Sequence, residues 1–307
     1  MQVYLPIAEL PINVFVIFGM GAAVGFLSGM FGIGGGFLLT PLLIFSGIPS
    51  AVAVASVTAQ IVASSASGAL SYWRRKQIDI KLAAILMLSG SVGSVLGVWL
   101  FSVLQDIGQL DLVISIAYVS FLGSIGSLML VESLRAFFRA RDGQPATFRK
   151  PGQHNWIHKL PLKVRFRRSK LYLSAIPIVA LGMAIGFLGS VLGIGGGFIM
   201  VPALIYLLRV PTTIVVGTSL VQILFTMAVA AVLHSISNQS VDIVLALVLM
   251  VGGVIGAQFG ARLGQRLRGE QLRALLAVLV LAVGMRFAVD LVIRPEELFS
   301  LAPIAGL

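Results

Sequence analysis

The sequence predicts an all-α polytopic membrane protein made of two inverted-topology repeats, with helices that are broken by glycine or re-enter the bilayer. Three observations lead there. The chain is 58% hydrophobic and 11% charged over 307 residues, and its mean hydropathy is +1.03. Apolar runs near the ~20 residues needed to cross a bilayer recur along it, in roughly 8–10 hydrophobic segments. The stretch Gly32-Ile33-Gly34-Gly35-Gly36-Phe37 returns as Gly193-Ile194-Gly195-Gly196-Gly197-Phe198. Laid over one another, Gly21–Leu42 and Gly182–Ala203 agree at 12 of 22 positions, where average residue usage gives roughly two. Three consecutive glycines cost a helix about 1 kcal/mol each against alanine. A chain that carries that cost at matching places in two halves breaks its helices there for a purpose.

Composition removes several classes. There are no cysteines, so disulfides and thiolate metal sites are excluded. The ten-residue alternating strands of an outer-membrane barrel are absent. The formal net charge of +11 comes from loops; it marks orientation beside an anionic leaflet, not nucleic-acid binding. No HExxH, GxSxG or GxxxxGK[ST] motif occurs, and all three histidines fall in loops or at a span end. No enzyme is expected, energy for any transport must come from an ion gradient, the substrate gradient or a separate ATPase, and no cofactor or metal site is expected.

Taken in order, residues 1–11 form a short lead with Pro6 and Pro11. Residues 1–13 lack Lys and Arg, so no cleavable signal is expected and the first run, Ile12–Phe31, is read as retained. The glycine break follows, then Phe37–Phe45, too short to cross alone at ~1.5 Å per residue. Ser46–Ser50 is a turn. Ala51–Trp73, Leu82–Leu104 and Leu112–Val131 are long runs. Residues 12–131 thus make a first transmembrane repeat. Residues 132–170 hold eleven of the 22 basic residues and make a linker with too few apolar groups for a core. His154 and His158 lie in it without a third ligand nearby, and Lys163–Lys170 reads as a basic stretch for the membrane surface. The second repeat, 171–292, has Leu171–Leu192, the break, Phe198–Leu208, Ile214–Leu233, Ile243–Leu263 and Ala274–Val292.

Charge orients these runs. Arg74–Lys81 carries four basic residues, the linker eleven and Arg262–Arg273 four, and the positive-inside rule places all three in the cytoplasm. The loop His234–Asp242 has none and lies one span from Arg262–Arg273, so it faces outside. Yet it occupies the same place in the repeat as Arg74–Lys81. The halves are therefore expected to be inverted, in the cell inner membrane, with the linker cytoplasmic and both termini periplasmic or extracellular. Ile12–Trp73 must cross an odd number of times: three crossings, or one crossing plus a re-entrant hairpin.

A second element repeats beside each break. Ala55-Ser56-Val57-Thr58-Ala59-Gln60 corresponds to Gly217-Thr218-Ser219-Leu220-Val221-Gln222. Small and hydroxyl residues in membrane helices often serve close packing alone. The recurrence of a buried amide beside a doubled break points instead to a polar pocket lined by Gly34, Gly35, Gly36, Ser56, Thr58, Gln60, Gly195, Gly196, Gly197, Thr218, Ser219 and Gln222. Gly-interrupted segments in matching places of two halves mark the binding site of secondary transporters. Amide and hydroxyl groups with half-helix N-termini favour a small oxyanion, and neutral polar solutes also fit. Asp79 and Asp242 correspond at span entrances, as helix caps or as relay groups for a coupling ion such as H+ or Na+. Arg286 and Asp290, four apart, pair with each other or take part in coupling.

These motifs resemble the sulfite exporter TauE/SafE family. The likeness rests on the two glycine breaks, each followed by Pro41 or Pro202, and on Gly217-Thr218-Ser219-Leu220, from which Ala55-Ser56-Val57-Thr58 departs. It covers nearly all of the chain outside 132–170. The resemblance implies a transporter of sulfite, sulfonates or other small sulfur-containing anions, in either direction, with the lipid bilayer as its other partner. A transporter or channel for a neutral or cationic solute is the alternative reading.

Overall fold

The computed structural model describes residues 2–31, 35–141, 161–166, 171–208, 210–264 and 269–292. Ten α-helices make up nearly all of it: α1 (Val14–Phe31), α2 (Gly36–Phe45), α3 (Ser50–Arg74), α4 (Ile80–Asp106), α5 (Leu110–Arg141), α6 (Ala175–Leu192), α7 (Gly197–Pro202), α8 (Thr212–Leu233), α9 (Ile243–Gly264) and α10 (Gly269–Val292). Six of the described helical stretches are long and apolar enough to cross a bilayer. Large apolar side chains such as Leu88, Trp99, Leu128 and Phe259 point outward, as they must where the surroundings are hydrocarbon. The protein is an all-α, multi-pass membrane protein.

Helix ends follow from local chemistry. Asp79 caps α4 by accepting from the Leu82 amide at 3.4 Å, and Asp242 caps α9 by accepting from the Leu245 amide at 3.0 Å. α6 stops at Leu192 and α7 starts at Gly197; between them Gly193, Gly195 and Gly196 have φ of 66°, 74° and 75°, a conformation that costs L-residues strain. In the first half α1 stops at Phe31 and α2 starts at Gly36, with Gly35 as its N-cap. Pro202 removes a helical donor, and the chain continues from it as a π-helical turn, Ala203–Leu207. α5 runs past Val131 to Arg141, so the first ten residues of the polar segment are helical; no Gly or Pro interrupts them.

Two stretches differ from their sequence reading. Leu171–Ser174 does not open the sixth helix. It is strand β4, paired antiparallel with β3, Lys163–Phe166. Lys163–Phe166, read from the sequence as part of a basic stretch for the membrane surface, is a strand with Phe166 buried, and residues 167–170 lie outside the described residues. Ser174 sets the boundary: its hydroxyl accepts from the Ile176 amide at 3.3 Å and starts α6. The lead of the first half is a matching hairpin, β1 (Gln2–Leu5) with β2 (Leu10–Asn13). Gln2 pairs with Asn13 and Lys163 with Ser174, so the hairpins keep the same spacing as the glycine breaks. A hairpin thus stands before α1 and before α6.

The packing swaps the halves. α1 packs on α9 as α6 packs on α4; α3 packs on α9 as α8 packs on α4; α3 and α8, and α5 and α10, pack on each other. Gly68 near the end of α3 meets Leu220 near the start of α8, and Gly217 meets Tyr72 and Gln77. Gly126 of α5 meets Leu281 of α10, and Gly284 meets Leu122. The equivalent helices in both pairs thus run antiparallel. α1 and α9 run parallel: Gly21, Gly25 and Gly29 lie on Leu249, Gly253 and Ala257. Glycine at these contacts lets backbones touch, which is how membrane helices gain packing energy without a hydrophobic drive.

Candidate functional site

The start of α2 packs against the connection between α6 and α7. The rings of Phe37 and Phe198, equivalent residues, stack at 4.7 Å with planes 13° apart. A Cβ at Gly36 would lie 2.7 Å from the Gly193 carbonyl oxygen and 3.0 Å from that of Ile194. The end of α6 is held from the first half: Tyr118 Oη donates to the Leu192 carbonyl at 2.6 Å, and Thr40 Oγ1 donates to the Gly193 carbonyl at 3.2 Å. The Gly35 amide donates to Ser28 Oγ at 2.7 Å. Side chains thus satisfy backbone groups that the breaks leave open, as burial at membrane depth demands. Gly34 lies outside the described residues.

The repeated polar element separates into three kinds of side chain. Ser56 and Thr218, fully buried equivalents, bridge the halves. The Asp242 amide donates to Ser56 Oγ at 3.0 Å, and the Asp79 amide donates to Thr218 Oγ1 at 3.2 Å. Each hydroxyl therefore seats the capping residue of the other half's helix. Thr58 and Ser219 turn inward on their own helices, donating to Ala55 and Val216 carbonyls at 2.6 and 3.0 Å. Gln60 and Gln222 are the third kind. Both are buried, and each lies against a glycine of the opposite half. A Cβ at Gly253 would overlap the Gln60 amide nitrogen; one at Gly90 would lie 2.8 Å from that of Gln222. Gln222 Nε2 also donates to Thr226 Oγ1 at 3.0 Å.

The weaker candidates fall at the edges. Asp79 and Asp242 sit buried at helix starts, and Asp242 Oδ2 also accepts from the Ile7 amide in the first hairpin at 3.0 Å. Arg286 and Asp290 pair at 3.3 Å on an exposed face of α10, with the guanidinium 5.8 Å from the Phe45 ring centroid.

Sequence reasoning missed Thr40, Tyr118, and the glycines that receive the glutamines. The last had a signal. Gly90, Gly93 and Gly97 return as Gly253, Gly256 and Gly260, at the spacing that relates Asp79 to Asp242. His234 was also missed. It is fully buried, its Nε2 lies 3.1 Å from the Ser190 carbonyl, and its Nδ1 lies 2.9 Å from Asn238 Nδ2.

A multi-pass helical protein in which short helices of the two halves stack at Phe37 and Phe198 is of a kind that includes membrane transporters. The family model of the sulfite exporter TauE/SafE matches residues 17–287, and the chain belongs to that family. It is 28% identical over 268 residues to a Bacillus subtilis protein named as the probable membrane transporter protein YjnA, covering 87% of this chain and 96% of that one. A Xylella fastidiosa protein, named as a probable membrane transporter protein, is 30% identical over 244 residues, covering 79% and 81%. No solved structure matches the chain.

Proposed function

We propose that this protein is a secondary transporter that moves a small sulfur-containing anion, such as sulfite or a sulfonate, across the cytoplasmic membrane by alternating access of two inverted halves. The single observation that carries the reading is the contact of the start of α2 with Gly193 and Ile194, where Phe37 stacks on Phe198, together with one buried glutamine on the following helix of each half, Gln60 on α3 and Gln222 on α8. The antiparallel course of α3 with α8 and of α5 with α10 supports the inversion: equivalent helices run opposite ways when the relating axis lies in the membrane plane. α1 is 18 residues and α2 only 10, about 27 and 15 Å at ~1.5 Å per residue. Their lengths support a re-entrant pair followed by one crossing in α3. The first amides of α2 lack intrahelical partners and carry the positive end of its dipole, which suits an anion without a buried counter-charge.

In this reading the linker is cytoplasmic and both termini lie outside. The energy comes from the substrate's own gradient or from a coupling ion, H+ or Na+. Proteoliposomes carrying the full chain take up labelled sulfite or an organosulfonate, and Gln60→Ala or Gln222→Ala abolishes the uptake while the fold persists. Absence of flux across a panel of sulfur oxyanions, with flux of a neutral or cationic solute, would replace the reading with its alternative.

A further inference from the structure

Both glutamines leave the same atom open. Gln60 and Gln222 are 3% and 1% exposed, yet the Oε1 of each has no hydrogen-bond partner among the described residues. Ser65 Oγ, on the same helix as Gln60 and equally buried, is also without one. The nitrogen of Gln222 donates to Thr226, and that of Gln60 packs against Gly253. The carbonyls of Leu192 and Gly193, at the end of α6, are already taken by Tyr118 and Thr40. No Lys or Arg is buried among the described residues. What recurs in both halves is therefore one buried, open glutamine acceptor, Oε1 of Gln60 on α3 and Oε1 of Gln222 on α8, with the Ser65 hydroxyl open as well on α3.

A buried carbonyl oxygen without a donor is unfavourable, and it repels the lone pairs of a bare oxyanion. A ligand that brings its own donor relieves both. A metal cation needs a cage of several oxygens, and each glutamine offers one. We infer that the site, on the reading that it carries sulfur-containing anions, selects those bearing an O–H or N–H group of their own: hydrogen sulfite and hydroxy- or amino-substituted sulfonates, in preference to sulfate and simple alkanesulfonates. The helix-end amides take the charged head, and a glutamine carbonyl accepts from the donor. Discrimination then comes from a group left unpaired when the wrong anion enters.

Calorimetric titration of the full-length protein in detergent with a matched pair, hydroxyethanesulfonate and ethanesulfonate, tests this, with sulfate as a third probe. The expected result is binding of the hydroxylated anion roughly tenfold or more tighter, and loss of that preference in Gln60→Met or Gln222→Met. Met keeps the unbranched shape while removing the acceptor. Equal affinity of the pair for the unaltered protein, or a preference that survives both substitutions, overturns the inference and leaves sulfur-anion transport standing. Binding of none of the three overturns both. The unaltered protein alone decides the first outcome if a substituted chain does not fold.

Discussion

Ser56 and Thr218 matter through what they hold. Each hydroxyl accepts a buried backbone amide of a capping aspartate from the opposite half. Removing it leaves that amide unpaired at a cost of about 1–3 kcal/mol. Ser56→Ala and Thr218→Ala should each lower the thermal stability of the detergent-solubilised protein, whereas Thr58→Ala, whose hydroxyl serves only its own helix, should leave it nearly unchanged. A second residue-scale prediction concerns Tyr118. Its hydroxyl is the donor found on the last carbonyl of α6, so Tyr118→Phe should destabilise by about 1–3 kcal/mol, read as a lowered Tm at full expression. The sequence marked Ser56, Thr58, Thr218 and Ser219 as one class, because spacing places all of them beside the glutamines. It could not separate them: whether a hydroxyl turns back to its own carbonyl or reaches another helix depends on the neighbour's backbone, which lies some 140 to 190 positions away.

Among the helices, the two parallel pairs, α1 with α9 and α4 with α6, are glycine-lined on both sides. A Cβ at Gly25 would collide with the Gly253 backbone, and one at Gly186 with that of Gly90. Gly25→Leu and Gly186→Leu should therefore push the helices apart and prevent stable folding, well beyond the 1–3 kcal/mol typical of overpacking. Gly19 lies on the same helix with nothing within 4 Å of its Cβ position. Gly19→Ala should be neutral or stabilising by up to about 1 kcal/mol, and thermal melting of the three variants checks the contrast. Most long helices were legible from apolar run length, their ends falling within a few residues of the runs. The hairpins were not. Gln2–Leu5 and Lys163–Phe166 are four residues each, too short for their alternation to stand out from chance. Leu171–Ser174 is apolar enough to merge with the helix behind it. The π-turn after Pro202 was equally hidden, since Pro41 sits inside α2 without one.

For the molecule as a whole, the doubling of the glycine motif is plain in the sequence because glycine triplets are too costly to recur by accident, and the stacking of Phe37 on Phe198 could be read only as a consequence of symmetry. What brings them together is the exchange of partners, α1 on α9 and α6 on α4, which no local pattern encodes. The account rests on the halves being inverted about a shared centre. The chain has no cysteine, so single introduced thiols report sidedness without background. Gln77 and Gln239 lie in the loops before α4 and α9, within one residue of equivalent places. With a membrane-impermeant thiol reagent on intact cells, Gln239→Cys should be labelled at once and Gln77→Cys only after the membrane is opened; labelling of both from the same side would contradict the inverted arrangement and the shared site built on it.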